Sequence, residues 1–206
     1  MSLAGATRKG DNLRAHLRRV TAPLHDALDA RMRPAGDWDD RTEMVRFLST
    51  QYAARIGIEE WLSDHAGEFE PPRQTPLIAA DLAAFDAPLP QAAPRFALPP
   101  SASPTAVTSD EHRPALGIAW VLAGSSLGNA AMLKEMQRAR HGRDAWPQAF
   151  LSDDAMLQFW RALRLRLERP VGEDEARYVT LAAEAAFSHF LAHAHAAARA
   201  SEIAAA

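Results

Sequence analysis

The stretch LRAHLRRVTAPLHDALDARM, residues 13 to 32, repeats its large apolar residues every three or four positions. This spacing places them on one face of an α-helix, whereas a half-buried strand would alternate apolar and polar residues. Pro23 interrupts the pattern, because a proline inside a helix costs about 3 kcal/mol and removes a backbone donor. We therefore expect an amphipathic helix that turns or kinks at Pro23. Its apolar stripe consists of Leu13, Leu17, Val20, Leu24, Leu28 and Met32.

The rest of the chain has the same helical character. Alanine is abundant, only 10 of the 206 residues are glycine, and no segment alternates like a strand. The second helix is expected to bury Met44, Phe47, Leu48, Ile56, Trp61 and Leu62. The sequence thus predicts an all-α, single-domain bundle of about six to eight helices. After the first helix, the expected helices cover about 40 to 64, 77 to 86, 112 to 140, 153 to 168 and 173 to 200.

Two segments indicate where helices stop and start. Residues 88 to 104, PLPQAAPRFALPPSASP, contain six prolines and are incompatible with a regular helix or a central strand. We interpret 88–107 as a proline-rich crossover loop. TSDE, residues 108 to 111, matches the capping box that begins a helix. The whole chain, 1–206, is expected to form one domain, with a flexible segment at 1–10 and a frayed tail from about 200.

Composition excludes several classes of function. The formal net charge is -3, so no basic face is indicated and nucleic acid is not expected as a partner. The chain has no cysteine, which excludes thiol catalysis, disulfides and iron–sulfur clusters. No stretch approaches 18 uninterrupted apolar residues, and the amino terminus lacks the apolar core of a signal peptide. We therefore expect a soluble cytoplasmic protein without membrane insertion.

His25 is the first residue whose chemistry the fold leaves open. It lies within TAPLHDALDARM, residues 21 to 32, beside the apolar stripe of the first helix. A histidine that only packs needs one hydrogen-bond partner, and that is its usual role. A histidine that faces an apolar cavity can instead bind a metal ion or a haem iron.

A pair of glycines raises a similar question in a later helix. Within LAGSSLGNAAML, residues 122 to 133, Gly124 and Gly128 lie one turn apart on the same face. Each glycine costs a helix about 0.5 to 1 kcal/mol relative to alanine. One explanation is close packing against another helix; the other is a flat ligand that lies against the backbone. A histidine on one helix and a glycine pair on another are together what a planar, iron-centred ligand between two helices requires.

At this point the chain resembles the haem oxygenase family, in particular its bacterial members. The matching segments follow the family's order over most of the chain, and the first and third of them are the specific ones. They are LRRVTAPLHDALD (17 to 29), RFLSTQYAARIGIEEWL (46 to 62), ALGIAWVLAGSSLGNAAML (115 to 133) and FWRALRLRL (159 to 167).

The resemblance implies roles for individual residues. The family's proximal iron ligand matches His25, and its propionate-binding basic residues match Arg18 and Arg161. Arg14, Arg164 and Arg166 are alternatives for the propionates. Trp120 corresponds to a position at the haem rim that is often aromatic in the family, but core packing is the preferred explanation for it.

The family's distal helix matches the segment with the glycine pair. Gly124, Ser125, Gly128 and Asn129 would line the distal side, where the backbone crowds oxygen and the Ser125 and Ser126 hydroxyls help to order water. Many relatives have a second glycine in place of Asn129, and some have a carboxylate in place of Ser125. These departures leave room for a changed water network, another site of ring opening, or poor turnover.

The resemblance also implies a reaction and its partners. Haem oxygenases oxidise bound haem, which is both substrate and cofactor, to biliverdin, carbon monoxide and ferrous iron. They use O2 and electrons from an external reductase or ferredoxin, and a bacteriophytochrome is an example of a downstream biliverdin acceptor.

Two alternatives stay open. The chain can be a non-catalytic carrier or sensor of haem or another tetrapyrrole. It can also be a non-haem iron oxygenase, for which His189, His193 and His195 are the available histidines; their segment, FSHFLAHAHAAARA, resembles a helix at the solvent edge.

Overall fold

The computed structural model describes residues 12–33, 39–91, 95–102 and 113–205. In these ranges the chain is all helical and contains no strand, which confirms the all-α prediction. The amino-terminal segment and the TSDE motif lie outside the described residues, so their predictions stay untested. The helices are α1 (Leu13–Met32), α2 (Arg41–His65), α3 (Thr75–Ala84), α4 (Arg113–Ala139), α5 (Asp154–Leu167) and α6 (Glu173–Ala205), with 3-10 turns at Gly67–Phe69 and Pro100–Ala102.

Short polar side chains fix the starts of three helices. The side chain of Asn12 accepts a hydrogen bond from the Ala15 amide at 2.9 Å, at the start of α1. Asp40 caps α2 and Asp153 caps α5 in the same way. Each cap satisfies a backbone donor that has no partner within the helix, so the helix begins next to it.

Helix α1 runs through Pro23 without interruption, which corrects the expectation of a turn there. Pro23 is exposed, so the carbonyl that loses its helical donor can be hydrated. Both halves of the helix are also held by the core, because Leu13 and Leu17 are buried before the proline and Leu24 packs against the same cluster after it. Tertiary packing thus offsets the local cost of the proline.

Helix α6 is the platform on which α1 and α4 pack. Its contact with α4 is closest at Gly117, where an added β-carbon would lie 2.1 Å from the carbonyl oxygen of Val179. Gly117 is therefore required by packing. The shared core includes Leu116, Ala119, Ala183 and Phe187, all buried.

Helix α2 differs in part from the expected apolar face. Met44, Phe47, Leu48 and Leu62 are buried as predicted, while Ile56 and Trp61 are half-buried. The described part of the proline-rich loop is irregular apart from its one 3-10 turn, and Phe96 anchors it in the core.

The region Pro114–Ala139 of α4 is long and apolar enough, by length and composition alone, to cross a membrane. Half of its most apolar window is buried inside the bundle. Core helices of soluble proteins have the same property, so this feature is weak support for a membrane span.

Candidate functional site

His25 projects from α1 with an accessible imidazole. Its side chain is 56% exposed, and its Nδ1 atom lies 3.5 Å from Oδ2 of Asp29 and 3.7 Å from Oδ1 of Asp26. The ring meets Phe187 of α6 edge to face, with 6.1 Å between ring centroids. His16, on the same helix, is buried instead and bonds the hydroxyl of Thr180. Of the two α1 histidines, His25 is the one that a ligand can reach.

Trp120 of α4 packs against the same phenylalanine. Its ring centroid lies 6.2 Å from that of Phe187, again edge to face. The indole Nε1 is buried and has no hydrogen-bond partner among the described residues. Phe187 is therefore a common neighbour of His25 on one helix and Trp120 on the other, and a buried donor lies unused beside it.

The two glycines that follow Trp120 are not required by packing. An added β-carbon at Gly128 would meet no atom within 4 Å, and one at Gly124 would approach only the ring of Trp160, at 4.0 Å. Both positions therefore have room for alanine, in contrast to Gly117. Close packing of helices, one of the two explanations offered by the sequence, therefore does not account for this pair.

The two serines between these glycines use their hydroxyl protons in hydrogen bonds to the helix backbone. The hydroxyl of Ser125 donates to the Leu122 carbonyl at 2.7 Å, and that of Ser126 donates to the Ala123 carbonyl at 2.6 Å. Both hydroxyl protons are therefore engaged within the helix, so either oxygen would order water as an acceptor. Asn129 is buried, although its neighbour Gly128 is exposed.

A buried cation beneath α4 was missed at the sequence level. Arg55 of α2 is 1% exposed, and its guanidinium donates to the Ser125 hydroxyl oxygen at 2.9 Å and to Gln51. Burial lowers the pKa of Arg55 to about 10, against the opposing field of Glu59. Its Nη1 atom has no partner among the described residues. The heptad spacing of 48, 55 and 62 in the sequence is the signal that places position 55 on the buried face.

The five arginines considered for the haem propionates fall into two groups. Arg18 of α1 and Arg161 of α5 are exposed, and neither is paired with a carboxylate of the described residues. The alternative cations are engaged: Arg14 and Arg164 both contact Glu168, and Arg166 bonds Glu68. Of these five candidates, the two arginines named by the resemblance are thus the ones left available for an anionic group.

The histidines of α6 fit the predicted solvent edge. His189, His193 and His195 are all half-buried, and exposed residues such as Ser188 and Ala192 alternate with them, as expected for a helix at the edge of the bundle. Within the described ranges, no group of three or more His, Cys, Asp or Glu side chains is arranged to hold a metal ion. These ranges therefore provide no ligand set for a non-haem iron oxygenase.

Comparison of the chain with protein-family models and with curated proteins found no match. The interpretation of this site therefore depends on its own geometry and on the sequence resemblance.

Proposed function

We propose that the chain has a haem oxygenase-like fold and is a haem oxygenase. It would cleave bound haem to biliverdin, carbon monoxide and ferrous iron, with O2 and electrons from an external reductase or ferredoxin. The observation that carries the proposal is the arrangement around Phe187. An accessible histidine on α1 and a tryptophan on α4 both contact it, and α4 continues with two glycines that packing does not require.

The environment of His25 fits an iron ligand. A ligating histidine usually directs its second ring nitrogen at a carboxylate or carbonyl, which orients the ring and raises its basicity. Asp29 lies near Nδ1 and can serve in this way, which leaves Nε2 for the metal. Haem bound there would supply the iron at which oxygen is reduced.

The polar surroundings fit the remaining groups of a haem. Arg18 and Arg161 can pair with the two propionates, since neither is engaged by a described carboxylate. The unpartnered indole N–H of Trp120 can donate to an acceptor on the bound molecule or to a water beside it. An orphaned buried donor costs about 1 to 3 kcal/mol, so a ligand or water that accepts from it would be stabilised.

Helix α4 would act mainly through its backbone. At Gly128 no atom would lie within 4 Å of an added β-carbon, so the backbone there would be open to a bound haem. Arg55 supports this segment from below through its bond to Ser125. In this proposal the chain orients the haem and restricts the approach of oxygen, while the haem supplies the redox chemistry.

The test is haem titration of the purified protein and of His25→Ala, with His141→Ala as the matched control. His141 is an exposed histidine in the connection after α4. We expect one haem per chain, loss of the imidazole-ligated spectrum in His25→Ala, and no change in the control. Circular dichroism should show the same helix content in all three proteins. An unchanged Soret band in His25→Ala would exclude this ligand.

A second function, a non-catalytic carrier or sensor of haem, is favoured by one observation. The hydroxyl protons of Ser125 and Ser126 are bound by backbone carbonyls, so neither serine can readily donate a proton to oxygen. Aerobic incubation of the haem complex with reductant distinguishes the two. Biliverdin formation supports the oxygenase, while stable haem in the presence of reductant supports the carrier.

A further inference from the structure

His189 and His193 form a close pair on α6. They lie one helical turn apart, and their ring centroids are separated by 4.6 Å at an interplanar angle of 63°. Residues four apart on a helix share a face, and two histidines at this spacing are a known arrangement for binding zinc. Neither residue has a role in the proposed haem site.

His189 contains an unused nitrogen. Its Nε2 atom is buried and has no hydrogen-bond partner among the described residues. Since a buried polar atom without a partner is destabilising, such atoms in folded proteins need an explanation. A bound metal ion would satisfy this nitrogen by accepting its lone pair.

Both rings are available as neutral ligands at neutral pH. Burial and the neighbouring His193 lower the pKa of His189 to about 4, while the Ala54 backbone acts in the opposite direction. Burial also lowers the pKa of His193. Metal binding requires the unprotonated imidazole, so no proton has to leave either ring before an ion binds.

A groove lies beside His189 of the pair. It has a volume of about 550 Å³ and lies between α6 and the segment 95–99. Phe96, which meets the ring of His189 edge to face, forms one wall, and Glu184 lies on the other. The groove therefore brings solvent to the side chain of His189, while the Nε2 atom itself is covered.

We propose that His189 and His193 form a two-histidine site for a divalent transition-metal ion. Ring centroids 4.6 Å apart are close enough for one ion to bind a nitrogen of each ring through metal–nitrogen bonds of about 2.0 to 2.1 Å. No third His, Cys, Asp or Glu of the described residues joins the pair, so solvent or a small ligand in the groove would complete the coordination.

The site should select among metals by ligand chemistry. Imidazole nitrogen suits Cu²⁺, Ni²⁺ and Zn²⁺, and affinity for a nitrogen site is highest for Cu²⁺. Mg²⁺ and Ca²⁺ prefer oxygen ligands and should not bind. The site is independent of haem, so the haem proposal can fail without affecting it.

The experiment is calorimetric titration of the haem-free full-length protein with Cu²⁺ and Zn²⁺, with Mg²⁺ as the negative control. We expect one Cu²⁺ per chain at this site and at least about tenfold weaker binding in His189→Gln and in His193→Gln. His195→Gln and His141→Gln are matched controls and should bind as the parent does. Circular dichroism verifies the fold of each variant.

Electron paramagnetic resonance of the Cu²⁺ complex gives a second measurement that needs no substitution of His189. We expect hyperfine coupling to two imidazole nitrogens, reduced to one in His193→Gln. Unchanged affinity in both pair variants, an equal loss in His195→Gln or His141→Gln, or coupling to fewer than two nitrogens in the parent would overturn the proposal.

Discussion

Alanine at Gly128 should stabilise the protein. The residue lies inside α4, and an added β-carbon would meet no atom within 4 Å. Replacement of an interior helix glycine by alanine contributes about 0.5 to 1 kcal/mol, because the unfolded chain loses freedom and the helix gains propensity. For a domain of this size, that corresponds to a rise in Tm of about 1 to 4 °C. Gly124→Ala should behave similarly, with its β-carbon in ordinary contact with Trp160.

Gly117→Ala supplies the contrast within the same helix. Its β-carbon would lie 2.1 Å from the Val179 carbonyl oxygen, so α4 and α6 would have to separate. Overpacking of this kind costs about 1 to 3 kcal/mol and sometimes more. We expect a decrease in Tm of several degrees for this variant, by about 2 to 4 °C per kcal/mol.

Haem affinity and biliverdin yield then separate the roles of these glycines. If the open backbone of α4 is where haem and oxygen lie, Gly128→Ala combines a raised Tm with lower biliverdin yield per folded molecule. Thermal unfolding and turnover should be measured on all three variants side by side. A destabilised Gly128→Ala refutes the packing argument, and a stabilised variant with parental haem binding and yield refutes the distal role.

Three further predictions concern polar residues. Ser125→Ala should lower the free energy of unfolding by about 1 to 3 kcal/mol, because the guanidinium buried beneath α4 loses an acceptor. Ser126→Ala should change the free energy of unfolding by no more than about 0.5 kcal/mol. Equal effects of the two substitutions in denaturant unfolding would contradict this. Burial raises the pKa of Asp81, so the folded state holds its proton more tightly than the unfolded chain. The contribution of this group to stability therefore falls as pH rises from about 3.8 through the raised value. Asp81→Asn should remove that component from a plot of Tm against pH. Arg18→Ala and Arg161→Ala should each weaken haem binding by up to about fivefold, since both arginine side chains are exposed. The loss of affinity should be smaller at high salt. Losses that do not depend on salt would argue against propionate pairing.

Local signals made much of the fold predictable. The helix starts at Asn12, Asp40 and Asp153 depend on side chains within three residues of the donors that they cap. Of the stripe predicted for α1, Leu13, Leu17 and Met32 are buried, whereas Val20, Leu24 and Leu28 are half-buried. Such features depend on neighbours in sequence, so periodicity and capping rules are sufficient to find them.

The polar interior was not predictable in the same way. Arg55 occupies a position where periodicity predicts an apolar residue, and its burial is tolerable only because Gln51, Ser125 and two aromatic rings surround the guanidinium. Those partners come from α2, α4, α6 and the segment before α5. Sequence spacing can place the arginine on the buried face, but it cannot identify which distant residues compensate the charge.

The glycines of α4 show most clearly where sequence reasoning ends. Gly117, Gly124 and Gly128 lie in one helix, and nothing local distinguishes a glycine that lets two helices approach from one that leaves the backbone open. The distance to Val179 makes the first a packing residue, and the space around the last makes it a position without a packing constraint. Because a helix interior without such a constraint favours alanine, retention of glycine at Gly128 requires another cause. In the haem proposal, a ligand that needs the backbone itself supplies this cause, and His25, whose ring contacts Phe187, is the residue that would bind it.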